Sequence, residues 1–338
     1  MVKYIAQLAL FLYYKRIELF HTDRIPKSGP ILFLPNHQNA LMDPLVMAAY
    51  STRKPFFLTR SDVFANSILR AFFGFLQMMP IYRMRDGRSK LSNNEAIFKR
   101  CSDILLSGKS LVIFPEGNHN IQRRVRPLSK GFTRFLFGSL ERDPKFNPAL
   151  IPVGVNYQQA SGFPDSAVLY FGTAVDFQDV LEPDDMQQTI LKTKEALYAQ
   201  LIKLTAHIGD EVHYDEILDR LEGHNTDFTD PITVNKLIES WQDLPKNPGV
   251  KTPLILKVWD IVFSSLNFPM IVLWRLGPKR LVPEIEFTAT FRFLYSVVIY
   301  PLAYGLGFVL LKSLISWEYA LAFILGHILH NLLYVKLR

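Results

Sequence analysis

Between residues 30 and 172, short apolar runs alternate with stretches whose apolar residues recur at helical spacing. The runs at 31–34, 55–58, 111–114, 150–155 and 168–171 are nearly unbroken in Val, Ile, Leu and Phe, as strands buried on both faces are. Segments 93–106 and 130–140 carry the spacing of helices. The alternation predicts an α/β fold, a mixed sheet flanked by helices. Such folds collect their chemistry at strand ends and in the loops that follow.

The two ends of the chain read differently. Near the start, Leu8, Leu12, Lys15 and Arg16 suit an amphipathic helix lying in a membrane interface, assigned to residues 1–25. An ordinary core helix is the alternative, and no small-residue cleavage site marks a signal peptide. Met186, Ile190, Leu197, Leu201, Leu204 and Ile208 recur as on one helix face. The polar stretch 210–251 reads as a helical hairpin followed by a linker. Residues 26–250 are therefore one α/β domain with a helical extension.

Residues 251–338 form a membrane region. Segments 291–311 and 319–335 are apolar and long enough to cross a bilayer as a hairpin. Segment 254–274 carries Lys257, Asp260, Asn267 and Pro269, which are costly at a bilayer centre. It is expected to be re-entrant or in-plane. Lys251 before it and Arg275, Lys279 and Arg280 after it then stay on one side, the cytoplasmic one, with Lys336 and Arg338. His327 and His330 in the last run suggest a metal or proton site, or simply polar residues packed between helices.

Composition agrees with a soluble domain joined to a short membrane part: of 338 residues 49% are hydrophobic, and the formal net charge is +7. A basic chain suits nucleic acid, an anionic membrane or an anionic substrate. No Lys/Arg-rich run with interleaved aromatics is present, so membrane lipids and a small anion are the expected partners, not nucleic acid. The single cysteine, Cys101, excludes an internal disulfide and a zinc-ligand pattern. It reads as a small buried side chain.

Four blocks carry candidate chemistry. In Leu34-Pro35-Asn36-His37 a strand ends in a histidine, and Asp43 follows after five residues. An imidazole takes up protons near neutral pH, and a carboxylate on its other nitrogen fixes the tautomer. No Ser or Cys nucleophile accompanies the pair, which favours direct attack by a substrate hydroxyl. In Met79-Pro80-Ile81-Tyr82-Arg83 the Arg83 fork suits a phosphate. In Phe114-Pro115-Glu116-Gly117-Asn118-His119, Gly117 permits close backbone approach and Glu116 suits a hydroxyl or an arginine. Arg123, Arg124, Arg126 and Lys130 follow as a cationic loop suited to phosphates, or to plain solvation. The last block is the strand Ala149-Leu150-Ile151-Pro152-Val153-Gly154-Val155.

Taken together, the four blocks resemble the glycerolipid acyltransferase family, which acylates glycerol-3-phosphate, dihydroxyacetone phosphate or 1-acylglycerol-3-phosphate. The resemblance covers roughly residues 30–155. It implies His37 as general base, Asp43 as its orienting partner, Arg83 as acceptor-phosphate ligand, and Glu116, Gly117 and Asn118 in acceptor binding. Arg123, Arg124 and Lys130 are the expected cations for phosphate. It also implies no metal, no cofactor beyond an acyl-CoA or acyl-carrier-protein thioester as co-substrate, and no covalent intermediate. The expected activity belongs to phosphatidic acid synthesis at a membrane, with the catalytic domain cytoplasmic. Two features depart from the commonest pattern. Five residues rather than four separate His37 from Asp43, as in a subgroup that acylates glycerol-3-phosphate or dihydroxyacetone phosphate. Asn118 and His119 stand where the family often has Thr-Arg or Ser-Arg, and His119 is a rival base. An ester or thioester hydrolase, an inactive lipid-binding protein and a transporter are the alternatives.

Overall fold

A computed structural model describes residues 2–61, 74, 77–82, 93–246 and 253–338. The eight strands are β1 (Tyr14–Phe20), β2 (Ile31–Pro35), β3 (Phe56–Arg60), β4 (Met78–Ile81), β5 (Ser110–Val112), β6 (Ala149–Tyr157), β7 (Asp165–Phe171) and β8 (Val175–Asp176). They form one sheet in the order β1-β7-β6-β2-β5-β3-β4, with β8 beside β6. Strand β6 runs antiparallel to β7 and β8, and the other pairs are parallel. The mixed sheet read from the apolar runs is thus present.

Strand β2 explains why those runs are continuous. Ile31 and Phe33 enter the core on one face, Leu32 and Leu34 the core on the other. With period-two alternation, both sets are apolar only if both faces are covered. One layer holds α1 (Val2–Tyr13) and α2 (Met42–Tyr50); the other holds α3 (Asn93–Leu106), α4 (Thr133–Leu140) and α5 (Met186–Leu204). Strand β6 lies hard against the end of α5. A Cβ on Gly154 would sit 2.0 Å from the Leu204 carbonyl oxygen. Asn156 clamps the same place, donating to Leu204 O at 2.9 Å and accepting from Ala206 N at 3.0 Å.

The first helix is shorter than expected. It ends at Tyr13, and residues 14–20, Lys15 and Arg16 included, form edge strand β1 in parallel register with β7. Tyr14-Lys15-Arg16-Ile17-Glu18-Leu19 alternates enough for a ladder, and the free edge of β7 supplies one. The helix that remains buries Leu10 and Tyr13 but exposes Tyr4, Ile5, Leu8, Phe11 and Leu12, an apolar face suited to a membrane surface.

After α5, helices α6 (Tyr214–Gly223) and α7 (Pro231–Glu239) pack around Ile208, Ile217, Leu221, Phe228 and Val234 as a small core of their own. The C-terminal part contains α8 (Leu254–Leu266), α9 (Phe268–Leu276), α10 (Thr288–Leu314) and α11 (Trp317–Leu337). Among the described residues, two helices, Ile285–Leu314 and Trp317–Leu337, are long and apolar enough to cross a membrane, with mean hydropathy 1.9 and 1.5. The preceding pair is bent by 76°, which makes it a broken span or a re-entrant loop. At the elbow Asn267 is buried and bonded to Asn331 and Tyr300, both at 2.8 Å, so its amide is satisfied where the backbone breaks. Both ends of the hairpin meet the α/β domain. Thr290 accepts from Leu41 N at 3.3 Å, and Lys336 donates to the carbonyls of Phe11 and Tyr14 at 2.7 and 2.8 Å.

Candidate active site

The end of β2 shapes the site. Asn36 carries the ladder one step further with its side chain, donating to Val155 O at 3.0 Å and accepting from Val155 N at 2.6 Å. The backbone is thereby released and turns away, and His37 projects past the sheet edge. Ala40 sits at φ 28°, outside the usual range for a non-glycine residue, and the turn it makes takes up the five residues before Asp43. Asn39 ties this turn to the loop after β6, donating to Ala160 O at 2.7 Å.

His37 and Asp43 meet as expected, with Nδ1 2.7 Å from Oδ2. Asp43 is fully buried in the first turn of α2. Its Oδ2 also accepts from the amides of Gln38 and Asn39, both at 2.9 Å, and Oδ1 accepts from the Tyr157 hydroxyl at 2.7 Å. Four donors thus converge on one carboxylate, which offsets the cost of burying it. With Nδ1–H given to Asp43, the other ring nitrogen presents its lone pair.

The third block closes over the turn. Phe114 stacks on His37 with ring centroids 4.0 Å apart, and Asn120 N donates to His37 O at 3.0 Å. Gly117 takes φ 75° and bonds back to Phe114 O at 3.1 Å, a turn that an L side chain would strain. Glu116 is buried, and its Oε2 accepts from Arg126 Nε at 2.8 Å. Among the described residues its Oε1 has no partner. Burial pushes the Glu116 carboxyl up to about 7, against the pull of Arg126. Arg126 also donates to Asn118 O, so it holds both ends of the loop.

The residues of the cationic loop have separate partners. Arg123 turns inward, donating to Tyr157 O at 2.8 Å and Gln158 O at 2.7 Å, with its guanidinium 3.6 Å from the Phe228 ring centroid. Those contacts dock the helical extension on the domain. Arg124 pairs with Glu211 on the same extension. Lys130 is exposed, and its carbonyl caps α4. Arg83 lies outside the described residues. Cys101 is buried in the core, its thiol pushed up to about 12, which makes it inert.

Three residues have parts in this geometry that the sequence did not assign to them. Tyr157 looks like any aromatic of a buried strand. Arg126 was one of four cations in a run. Glu284 reaches His119 Nε2 at 2.8 Å from 165 positions along the chain.

The end of a central strand thus carries a His–Asp pair with a Phe-Pro-Glu-Gly turn stacked on it. The family model described as Acyltransferase matches residues 16–155, in agreement with the resemblance read from the four blocks. The 1-acyl-sn-glycerol-3-phosphate acyltransferase LPAT1, chloroplastic, of Arabidopsis thaliana is 28% identical over 128 residues, 37% of this chain and 33% of that protein. The corresponding BAT2 protein of Brassica napus is 25% identical over 127 residues, 37% and 35% of the two chains. Glycerol-3-phosphate O-acyltransferase 1 of Saccharomyces cerevisiae is 26% identical over 84 residues, 25% of this chain and 11% of that one. The match thus spans about a third or less of these relatives' own lengths. Among solved structures, the 1-acyl-sn-glycerophosphate acyltransferase PlsC of Thermotoga maritima aligns with TM-score 0.37 at 13% identity, over 54% of this chain and 71% of that one.

Proposed function

We propose that this protein moves a fatty acyl group from a thioester, acyl-CoA or acyl-carrier protein, to a hydroxyl of glycerol-3-phosphate or 1-acylglycerol-3-phosphate at a membrane. The observation that carries the reading is the His37–Asp43 pair, with its carboxylate bonded by four donors at the mouth of a strand end. His37 takes the proton of the acceptor hydroxyl as its oxygen attacks the acyl carbonyl. Asp43 stabilises the imidazolium that forms. The C–S bond breaks as the tetrahedral intermediate collapses, and the thiolate recovers the proton from His37. General base action is worth about 10²–10⁴-fold, and backbone amides at the strand ends supply the rest by binding the oxyanion. Among the described residues no Ser or Cys side chain is hydrogen-bonded to His37, which supports direct transfer over an acyl-enzyme. Glu116, Gly117 and Asn118 line the acceptor side, and Arg83 holds its phosphate.

The membrane segments serve poorly soluble reactants. An apolar cavity of about 670 Å³ between α1 and the C-terminal helices, lined by Leu8, Leu12, Phe163 and Trp274, offers room for an acyl chain. The charge bias of the chain supports a cytoplasmic α/β domain: Arg275, Lys279 and Arg280 precede the hairpin and Lys336 closes it. The test is a membrane-fraction assay that offers glycerol-3-phosphate, dihydroxyacetone phosphate and 1-acylglycerol-3-phosphate in parallel with a labelled acyl thioester. An acylated phospholipid from one of them is expected. Free fatty acid released at the same rate without acceptor would replace this reading with a hydrolase.

A further inference from the structure

His119 stands outside the roles given to the four blocks. It is 4% exposed, and its ring meets His37 edge-on, with centroids 5.5 Å apart and planes at 89°. On its far side it packs against Phe287 at 4.8 Å and 85°. Its Nε2 lies 2.8 Å from Glu284 Oε2. Burial lowers the pKa of this imidazole, and the Glu284 hydrogen bond works against that. In this pair the His119 Nε2–H donates to the carboxylate. A second His–carboxylate pair thus lies beside the first, with its carboxylate supplied by the segment that enters α10.

Among the described residues, the His37 ring is held by Asp43 at Nδ1, by Phe114 on its face and by His119, whose ring plane is perpendicular to it. Asp43 and Phe114 are anchored within the α/β domain. His119 depends on residues 284–287, and that segment is docked on the same loops elsewhere. Glu286 accepts from Ile121 N at 3.1 Å, and Thr290 from Leu41 N at 3.3 Å. Arg292 donates to the carbonyls of Ser161 and Gly162 at 3.2 and 2.7 Å.

We infer that Glu284 is a positioning residue for His37: by fixing His119 it sets the wall against which the base packs, so that the base is in register only when the entry to the first membrane-crossing helix is docked. The inference rests on His37 being the base. It gives the C-terminal hairpin a part in the chemistry besides anchorage. A slack wall allows displacements of the order that cost up to about 10²-fold in rate. Glu284 is half exposed, so its hydrogen bond is partly screened and the expected loss is smaller, about tenfold.

The test uses the full-length chain in detergent or bilayers. Glu284→Ala is expected to lower kcat about tenfold, with both KM values within about twofold and an unchanged unfolding midpoint. Glu284→Gln keeps an oxygen that accepts from His119, and is expected to return kcat to within about threefold of wild type. His119→Phe keeps a ring but cannot donate. In that background Glu284→Ala should add no further loss, whether or not either change alters stability. Wild-type kcat in Glu284→Ala, equal loss in the Ala and Gln variants, or additive losses in the double variant each overturn the inference. His37→Ala is assayed alongside. If it is active, the base assignment itself fails; if it is dead while Glu284→Ala is normal, only the role of Glu284 fails.

Discussion

Asp43→Asn isolates charge from shape at the centre of the site. Four donors reach this carboxylate, from His37, Gln38, Asn39 and Tyr157. An amide fits with its oxygen toward His37 and the two backbone amides and its nitrogen toward Tyr157, whose hydroxyl accepts as readily as it donates. The fold should persist with a loss of about 1.5–3 kcal/mol, the worth of a hydrogen bond to a charged group. The rate loses more. An imidazolium and a carboxylate with centres about 4 Å apart attract by about 4 kcal/mol at an effective dielectric of 20. At 1.36 kcal/mol per decade, kcat should fall about a thousandfold. The assay is acyl transfer to the preferred acceptor by purified wild-type and variant protein, with unfolding midpoints measured on the same preparations. A folded variant within about tenfold of wild-type kcat would refute the reasoning, because the imidazolium would then be formed without its counter-ion.

Other changes probe the frame and the neighbouring groups. Gly154→Ala should prevent normal folding, since its Cβ would lie 2.0 Å from the Leu204 backbone oxygen; a soluble, active preparation with an unchanged midpoint would contradict the packing of β6 on α5. Arg126→Ala removes the cation beside Glu116, whose carboxyl already titrates at about 7, so the carboxyl should be protonated over more of the neutral range. The acceptor KM should rise at pH 7 and recover in part at pH 9, and a rise independent of pH would reject this. Burial raises the Asp165 carboxyl to about 7 from an ordinary value near 4, so the folded state binds the extra proton. Stability from this group is therefore full below about pH 4, falls between about 4 and 7, and is lost by about 4 kcal/mol above that. His207, lowered to about 4, acts in the opposite direction over nearly the same range. The difference between Asp165→Asn and wild type, read as unfolding midpoints at pH 5 and pH 8, isolates the aspartate: the variant's gain should be markedly larger at pH 8 than at pH 5.

The parts legible in the sequence are those whose signal is local. Strand β2 is apolar at every position and β6 at nearly every one because both sheet faces are covered. His37 and Asp43 lie within one turn, so their meeting follows from the chain's own path. Strand β1 was hidden because its alternation is weak and its stability comes from the edge of β7, 151 positions away in the Tyr14–Asp165 register. Tyr157 and Glu284 touch the two histidine systems across 114 and 165 positions, and nothing local marks either residue. The cationic run shows the converse. Its charge was plain, yet charge alone does not tell where a guanidinium points, and Arg123 is spent on the carbonyls of Tyr157 and Gln158.

The most direct measurement is turnover of His37→Ala with an acyl thioester and the best glycerol phosphate acceptor, on protein shown to be folded by its unfolding midpoint. Loss of nearly all transfer, by about 10²-fold or more, is the predicted result. Transfer at the wild-type rate would mean that another group removes the hydroxyl proton, and the assignment of this site would fall.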